Sequence, residues 1–91
     1  MKNASGGSDG MGGPGEFGSA SIARLEALAE AAYGRMYDAT GAPAAAGCYA
    51  EAKDWLHDAM ALARQSDDRA AMARIAARLG EIKAVFRSQF S

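Results

Sequence analysis

The groups best suited to chemistry lie in one stretch, residues 48–64, which contains the chain's only histidine, cysteine and tryptophan. His57 stands between Asp54 and Asp58, one helical turn after Lys53. A catalytic or metal-binding histidine needs an orienting partner and further convergent ligands. The aspartates could orient the imidazole, but the sequence places no nucleophile or third ligand beside them. We therefore interpret His57 as an exposed surface histidine.

Cys48 is the second candidate, because the pattern predicts it at the start of a helix, where thiols are more reactive. One interpretation is a redox role or an intermolecular disulfide, and the other is a small core residue. A single cysteine excludes an internal disulfide and is typical of a reducing compartment, so we expect a cytoplasmic protein. No cluster of His and Cys predicts a metal site. We expect no metal, no cofactor, no small-molecule substrate and no enzymatic activity.

Length and composition allow one small domain preceded by a tail. Of the eleven glycines in 91 residues, seven lie within residues 1–19. Such a segment buries too little apolar surface to offset its ordering entropy, so we expect a disordered Gly-rich tail over 1–19. Its last four residues, 16–19, read Glu-Phe-Gly-Ser, so part of the tail is either native or left over from cloning. No apolar run of the required length follows Lys2, so we expect no signal peptide.

Charge is unevenly distributed along the chain, although the formal net charge is only −1. Residues 1–68 carry ten acidic and five basic side chains, whereas residues 69–91 carry five basic side chains and one acidic one. Opposite charges of this kind attract either within one molecule or between molecules. No apolar run approaches the about twenty residues of a membrane span, so we expect no membrane insertion.

Two helices are predicted from apolar residues at spacings of three and four. The first covers about 21–40, with Ser19 or Ser21 as its N-cap and Gly41 after its end. The second covers about 47–65, and Pro43 lies either in the connection 42–47 or in the first turn of this helix. The inward residues of the two helices are Ile22, Leu25, Ala29, Ala32, Tyr33 and Met36, and then Cys48, Tyr49, Ala52, Trp55, Leu56, Ala59, Met60, Leu62 and Ala63.

The third helix is predicted over about 67–89, capped by Ser66 or Asp67. Its inward stripe is Met72, Ile75, Leu79, Ile82, Phe86 and Phe90. The opposite side is made of alanine and glycine, which is either helix filler or a face on which another helix docks closely. On the second interpretation, the partner-binding residues are Ala73, Ala77, Gly80 and Ala84.

These patterns predict an all-α fold, an antiparallel three-helix bundle over residues 20–91. No run alternates between apolar and polar residues, so no strand is expected. About seventy residues is close to the lower limit for a single sufficient core. Self-association, for example as a homodimer, is therefore one way in which this chain could bury more surface. We predict a non-enzymatic interaction module that binds a protein partner or itself.

The basic side chains of the third helix suggest an alternative function. They are Arg69, Arg74, Arg78, Lys83 and Arg87, and a nucleic-acid-associated or regulatory protein would use them to contact phosphates. They lie on both borders of the apolar stripe, whereas nucleic-acid binders usually gather such charge on one exposed face. Their position favours pairing with acidic groups of the first two helices.

The second helix resembles the second helix of a tetratricopeptide repeat. The residues that carry the resemblance are Tyr49, Ala52, Trp55, Leu56, Ala59 and Leu62, in the family's order of aromatic, small, bulky, small and leucine. The resemblance implies a helix–turn–helix hairpin with a third helix stacked on it. It also implies partner binding in the groove between the first two helices.

Overall fold

The computed structural model describes residues 14–90. They form three α-helices, α1 (Pro14–Asp38), α2 (Ala42–Gln65) and α3 (Arg69–Gln89), and no strand is found among the described residues. Successive helices run antiparallel. The late part of α1 contacts the early part of α2, and the early part of α2 contacts the late part of α3. The predicted all-α three-helix arrangement is confirmed. No helix in the described range has the length and apolarity to cross a membrane.

The helix α1 starts earlier than the sequence predicted. It begins at Pro14, so residues 14–19 of the expected tail are helical and neither Ser19 nor Ser21 is the N-cap. Proline is well tolerated in a first helical turn, because the N–H it lacks has no partner there. The remainder of the predicted tail, residues 1–13, lies outside the described residues.

The helix α2 also starts earlier, at Ala42 instead of residue 47. Pro43 therefore lies in its first turn, the second of the two positions considered from the sequence. Gly41 has φ +100°, a left-handed conformation that suits glycine, and it turns the chain between the helices. The connection is therefore residues 39–41, and the predicted connection 42–47 is wrong.

The start of α3 differs from the prediction by one or two residues. Asp68 is the N-cap, and its carboxylate accepts a hydrogen bond from the Ala71 N–H at 3.1 Å. Ser66 instead ends α2, where its hydroxyl donates to the Leu62 carbonyl at 3.0 Å. Asp67 has a positive φ of 53°, which turns the chain between α2 and α3.

Most of the buried residues of α1 and α2 are alanines, and these two helices pack far more extensively than any other helix pair. Ala29 and Ala32 of α1 are fully buried, and three buried alanines of α2 recur every seven residues. These are Ala45, Ala52 and Ala59. Because the distance between two helix axes depends on the side chains at the contact, a row of alanines lets the two backbones approach closely.

Large buried side chains are few. In the described residues, Ile22, Met36, Leu56, Ile75 and Ile82 are the largest that are fully buried. Half-buried side chains such as Trp55 and Leu79 pack around this centre. The predicted inward stripe of α3 is confirmed, because Ile75 and Ile82 are buried and its other members are half-buried.

Aromatic rings join the C-terminal part of α3 to the other two helices. Tyr49 of α2 stacks on Phe86 with 4.2 Å between ring centroids and 3° between ring planes. Phe90 meets Tyr37 of α1 edge-on at 5.6 Å. Tyr37 is 49% exposed, so this aromatic group extends from the core to the surface. The C-terminal part of α3 therefore contacts both α1 and α2 through aromatic rings.

The close contact between α1 and α2 predicts a strong effect of side-chain size. Ala59→Leu adds volume at a fully buried position and should lower the free energy of unfolding by about 1–3 kcal/mol. Ala61→Leu, on the exposed side of the same helix, is the matched control and should change it by less than about 0.5 kcal/mol. Chemical denaturation followed by circular dichroism measures both. Equal effects of the two variants would show that α1 and α2 are not closely packed at Ala59.

Candidate functional site

His57 lies on the exposed side of α2, as the sequence predicted. Among the described residues it forms no hydrogen bond and no salt bridge. Within the same range, no group of three or more His, Cys, Asp or Glu side chains is arranged to hold a metal ion. The arrangement around His57 therefore provides neither an orienting carboxylate nor a second ligand.

Cys48 is a half-buried free thiol in the second turn of α2. The expectation of a cysteine at a helix start is wrong, because α2 begins six residues earlier, at Ala42. The free N–H groups of a helix are confined to its first turn, so they do not lie beside this thiol. The position in a first helical turn on which a reactive Cys48 was predicted is therefore not found.

Two arginines of α3 are bound by carboxylates of α1. Arg74 donates two hydrogen bonds to Glu26, at 2.8 and 2.9 Å. Arg78 donates two hydrogen bonds to Glu30, both at 2.7 Å. Such paired contacts fix the orientation of both groups, because the planar guanidinium matches the two carboxylate oxygens. The backbones of α1 and α3 make few contacts, so these pairs form much of the link between the two helices.

Arg78 has further contacts that hold it in place. It donates to Glu81 of its own helix at 3.0 Å, and its guanidinium lies 4.8 Å from the centroid of the Tyr33 ring. The hydrogen bond from Arg78 is the main reason why the pKa of Glu30 lies below its ordinary value, despite partial desolvation. The same hydrogen bond raises the pKa of Arg78. The Tyr33 hydroxyl shares a 3.0 Å hydrogen bond with Tyr37, which raises the pKa of Tyr33.

A third interhelical pair joins α1 to α2. Arg35 donates to Glu51 at 2.6 Å, and the Trp55 indole N–H donates to the same carboxylate at 3.3 Å. The hydrogen bond from Arg35, followed by that from Trp55, lowers the pKa of Glu51. Both charged groups are about half exposed, so this pair contributes little to stability in water.

These contacts decide how the basic residues of α3 are placed. The sequence predicted that they would pair with acidic groups of the first two helices, and Arg74 and Arg78 do so with α1. Arg69 pairs instead with its near neighbour Asp67, at 3.4 Å, and Arg87 also has a partner. Of the five predicted nucleic-acid contacts, Lys83 alone has neither a hydrogen bond nor a salt bridge within the described residues.

The small-residue face of α3, defined as Ala73, Ala77, Gly80 and Ala84, is brought together as the sequence predicted. All four residues are exposed, on the side of α3 opposite to its buried isoleucines. A Cβ atom added at Gly80 would meet no other atom within 4 Å. Neither α1 nor α2 covers this face.

A groove between α2 and α3 was missed by the sequence analysis. It has a volume of about 380 Å³, and its lining is Tyr49, Lys53, His57, Leu79, Gly80 and Lys83. The two halves of this lining are more than twenty residues apart in sequence, and only the antiparallel packing brings them together. A possible signal was the spacing of four that places Tyr49, Lys53 and His57 along one side of α2.

The lowered pKa of Glu30 predicts a specific pH dependence. A depressed folded-state pKa contributes stability above the ordinary value of 4.5, and this contribution is lost as the pH falls through the folded-state pKa. Glu30→Gln should cost about 1 kcal/mol at neutral pH and should weaken the loss of stability between about pH 5 and pH 3. Denaturant titrations at several pH values measure this slope.

The matched control is Asp58→Asn, which removes an exposed carboxyl group that forms no salt bridge with the described residues. It should leave the wild-type slope largely intact. If Glu30→Gln and wild type lose stability in parallel below about pH 5, the Arg78–Glu30 pair does not form in solution.

Comparison with known proteins assigns no family to this chain. No protein-family model matches it, and no curated protein or solved structure matches it either. The resemblance of the second helix to a tetratricopeptide repeat therefore stays a prediction.

Proposed function

We propose that this chain is a small non-enzymatic interaction module that associates through the small-residue face of α3. The observation that supports this is the exposure of four small, uncharged residues at the middle of that face. An exposed helix side that faces only water is usually polar or charged. A face of alanine and glycine instead lets a second helix approach with backbone-close packing.

A second copy of the chain is the partner that the core favours. Most of the buried apolar residues in the described range are alanines, and only five large side chains are fully buried. Each large buried side chain contributes about 1.5–3 kcal/mol, so the core of one copy is small. Chains near seventy residues often supplement such a core by oligomerisation. Packing of two α3 helices would bury additional apolar surface without changing the fold.

The nucleic-acid alternative has less support from the geometry. Phosphate groups would have to displace Glu26 from Arg74 and Glu30 from Arg78, and both carboxylates hold their arginine through two hydrogen bonds. Those bonds also link α1 to α3, so their loss would loosen the bundle.

Sedimentation equilibrium over a wide range of protein concentration tests the proposed self-association. The wild-type chain should form a dimer, and Ala77→Glu should weaken the dimer by more than about tenfold, because it buries an unpaired charge in the interface. Ala61→Glu places the same charge on the exposed side of α2 and should leave the dissociation constant within about twofold.

Thermal unfolding of both variants, followed by circular dichroism, establishes that they remain folded. A wild-type chain that stays monomeric at millimolar concentration, or an Ala77→Glu variant that dimerises like wild type, would contradict the proposal. Binding of a different protein to the same face would replace the second copy as the partner.

A further inference from the structure

The groove between α2 and α3 gathers basic side chains that form no salt bridge with a carboxylate of the described residues. Lys53 and His57 come from α2, and Lys83 comes from α3. None of the three forms a salt bridge with a described acidic residue, whereas Arg35, Arg69, Arg74 and Arg78 all do. Asp54 and Asp58 neighbour these groups on α2 but do not line the groove. The groove thus has unpaired basic side chains on both of its walls.

Two other residues shape the groove for a ligand. Tyr49 lines it, and its ring is held between Phe86, stacked at 4.2 Å, and the Lys53 ammonium, 4.5 Å from the ring centroid. Its hydroxyl forms no hydrogen bond with the described residues and can donate one. Gly80 leaves open space where any other residue would place a side chain. Glycine is disfavoured in the interior of a helix, so keeping this space open with Gly80 lowers the stability of α3.

We propose that this groove binds a small phosphate-bearing anion. Lysine ammonium groups are compact point charges that suit phosphate oxygens, whereas the guanidinium groups of Arg74 and Arg78 are each held by two hydrogen bonds to a carboxylate. The volume of about 380 Å³ lies at the small end of the range of ligand sites. The ligand is therefore a small molecule with one or two phosphate groups, held by Lys53, Lys83, His57 and the Tyr49 hydroxyl.

This inference does not depend on self-association through α3. Gly80 borders both surfaces, but Ala73, Ala77 and Ala84 do not line the groove. Ala77→Glu can therefore weaken dimer formation while anion binding persists, and the Lys variants below can weaken anion binding while the dimer persists.

Nuclear magnetic resonance titration with pyrophosphate, in a low-salt buffer free of other phosphate, tests the proposal. The amide signals of Gly80 and Lys83 should shift with a saturable dependence on pyrophosphate concentration. Lys53→Gln and Lys83→Gln should each weaken binding about fivefold to tenfold, because each removes one charged contact. The matched control is Arg24→Gln, which removes one exposed positive charge from α1 and should change the affinity by less than about twofold.

Gly80→Leu separates filling of the groove from loss of charge or of fold. Because Gly80 also belongs to the small-residue face, the substitution is made in the Ala77→Glu background, in which dimer formation is already weakened, and is compared with Ala77→Glu alone. The Cβ of this leucine meets no atom within 4 Å and leucine favours helix, so the thermal midpoint should not fall. Its side chain enters the open space, so the affinity for pyrophosphate should fall by about tenfold or more.

Four results would overturn the proposal. The first is the absence of saturable shifts at Gly80 and Lys83. The second is an Arg24→Gln effect equal to that of the lysine variants, which would mean that net charge alone attracts the anion. The third is succinate binding as tightly as pyrophosphate, which would exclude selectivity for phosphate. The fourth is a single-stranded oligonucleotide that binds far more tightly through the same lysines, which would favour the nucleic-acid alternative.

Discussion

Close contact between α1 and α2 through buried alanines is the constraint on which the rest of the structure depends. Ala29 and Ala32 on one helix, and Ala52 and Ala59 on the other, are fully buried, and their small side chains allow the two backbones to approach closely. This packing gives an extensive interface but removes little apolar side-chain surface per residue from water. The hairpin contributes Ile22, Met36 and Leu56 as large buried side chains, and α3 completes the core with Ile75 and Ile82.

The helix α3 is attached by two kinds of contact on its two sides. Ile75 and Ile82 are buried in the core, and Phe86 stacks on Tyr49 of α2. Toward α1 the attachment adds ion pairs, of Arg74 with Glu26 and of Arg78 with Glu30, to the edge-on contact between Phe90 and Tyr37. Between α3 and α2 a groove with basic walls remains. Between α3 and α1 the guanidinium groups of Arg74 and Arg78 are paired with carboxylates. The side facing away from both helices is the small-residue face, so the two proposed surfaces follow from how α3 is held.

Sequence periodicity predicted the helices and their inward faces, because apolar residues at spacings of three and four lie on the same, buried side of a helix. Helix starts were predicted less well. Ser19 and Ser21 carried N-cap signals, yet α1 already begins at Pro14. In α2, Pro43 fits a first helical turn and three alanines with high helix propensity follow it before Gly47. The groove could not be predicted, because it depends on which residues of α2 face Gly80 and Lys83 across the interface. Likewise, the sequence indicated that the arginines would pair with acidic groups. Which carboxylates they meet depends on the register between α1 and α3, which the sequence does not give.

The central claim is that the bundle buries its small-residue face against a second copy of itself. Isotope-filtered nuclear Overhauser measurements on a mixture of labelled and unlabelled chains test it most directly, because they detect only contacts between copies. The account predicts intermolecular contacts at the methyl groups of Ala73, Ala77 and Ala84. Intermolecular contacts confined to the exposed residues of α1 and α2, or no such contacts at concentrations where the chain is a dimer, would contradict it.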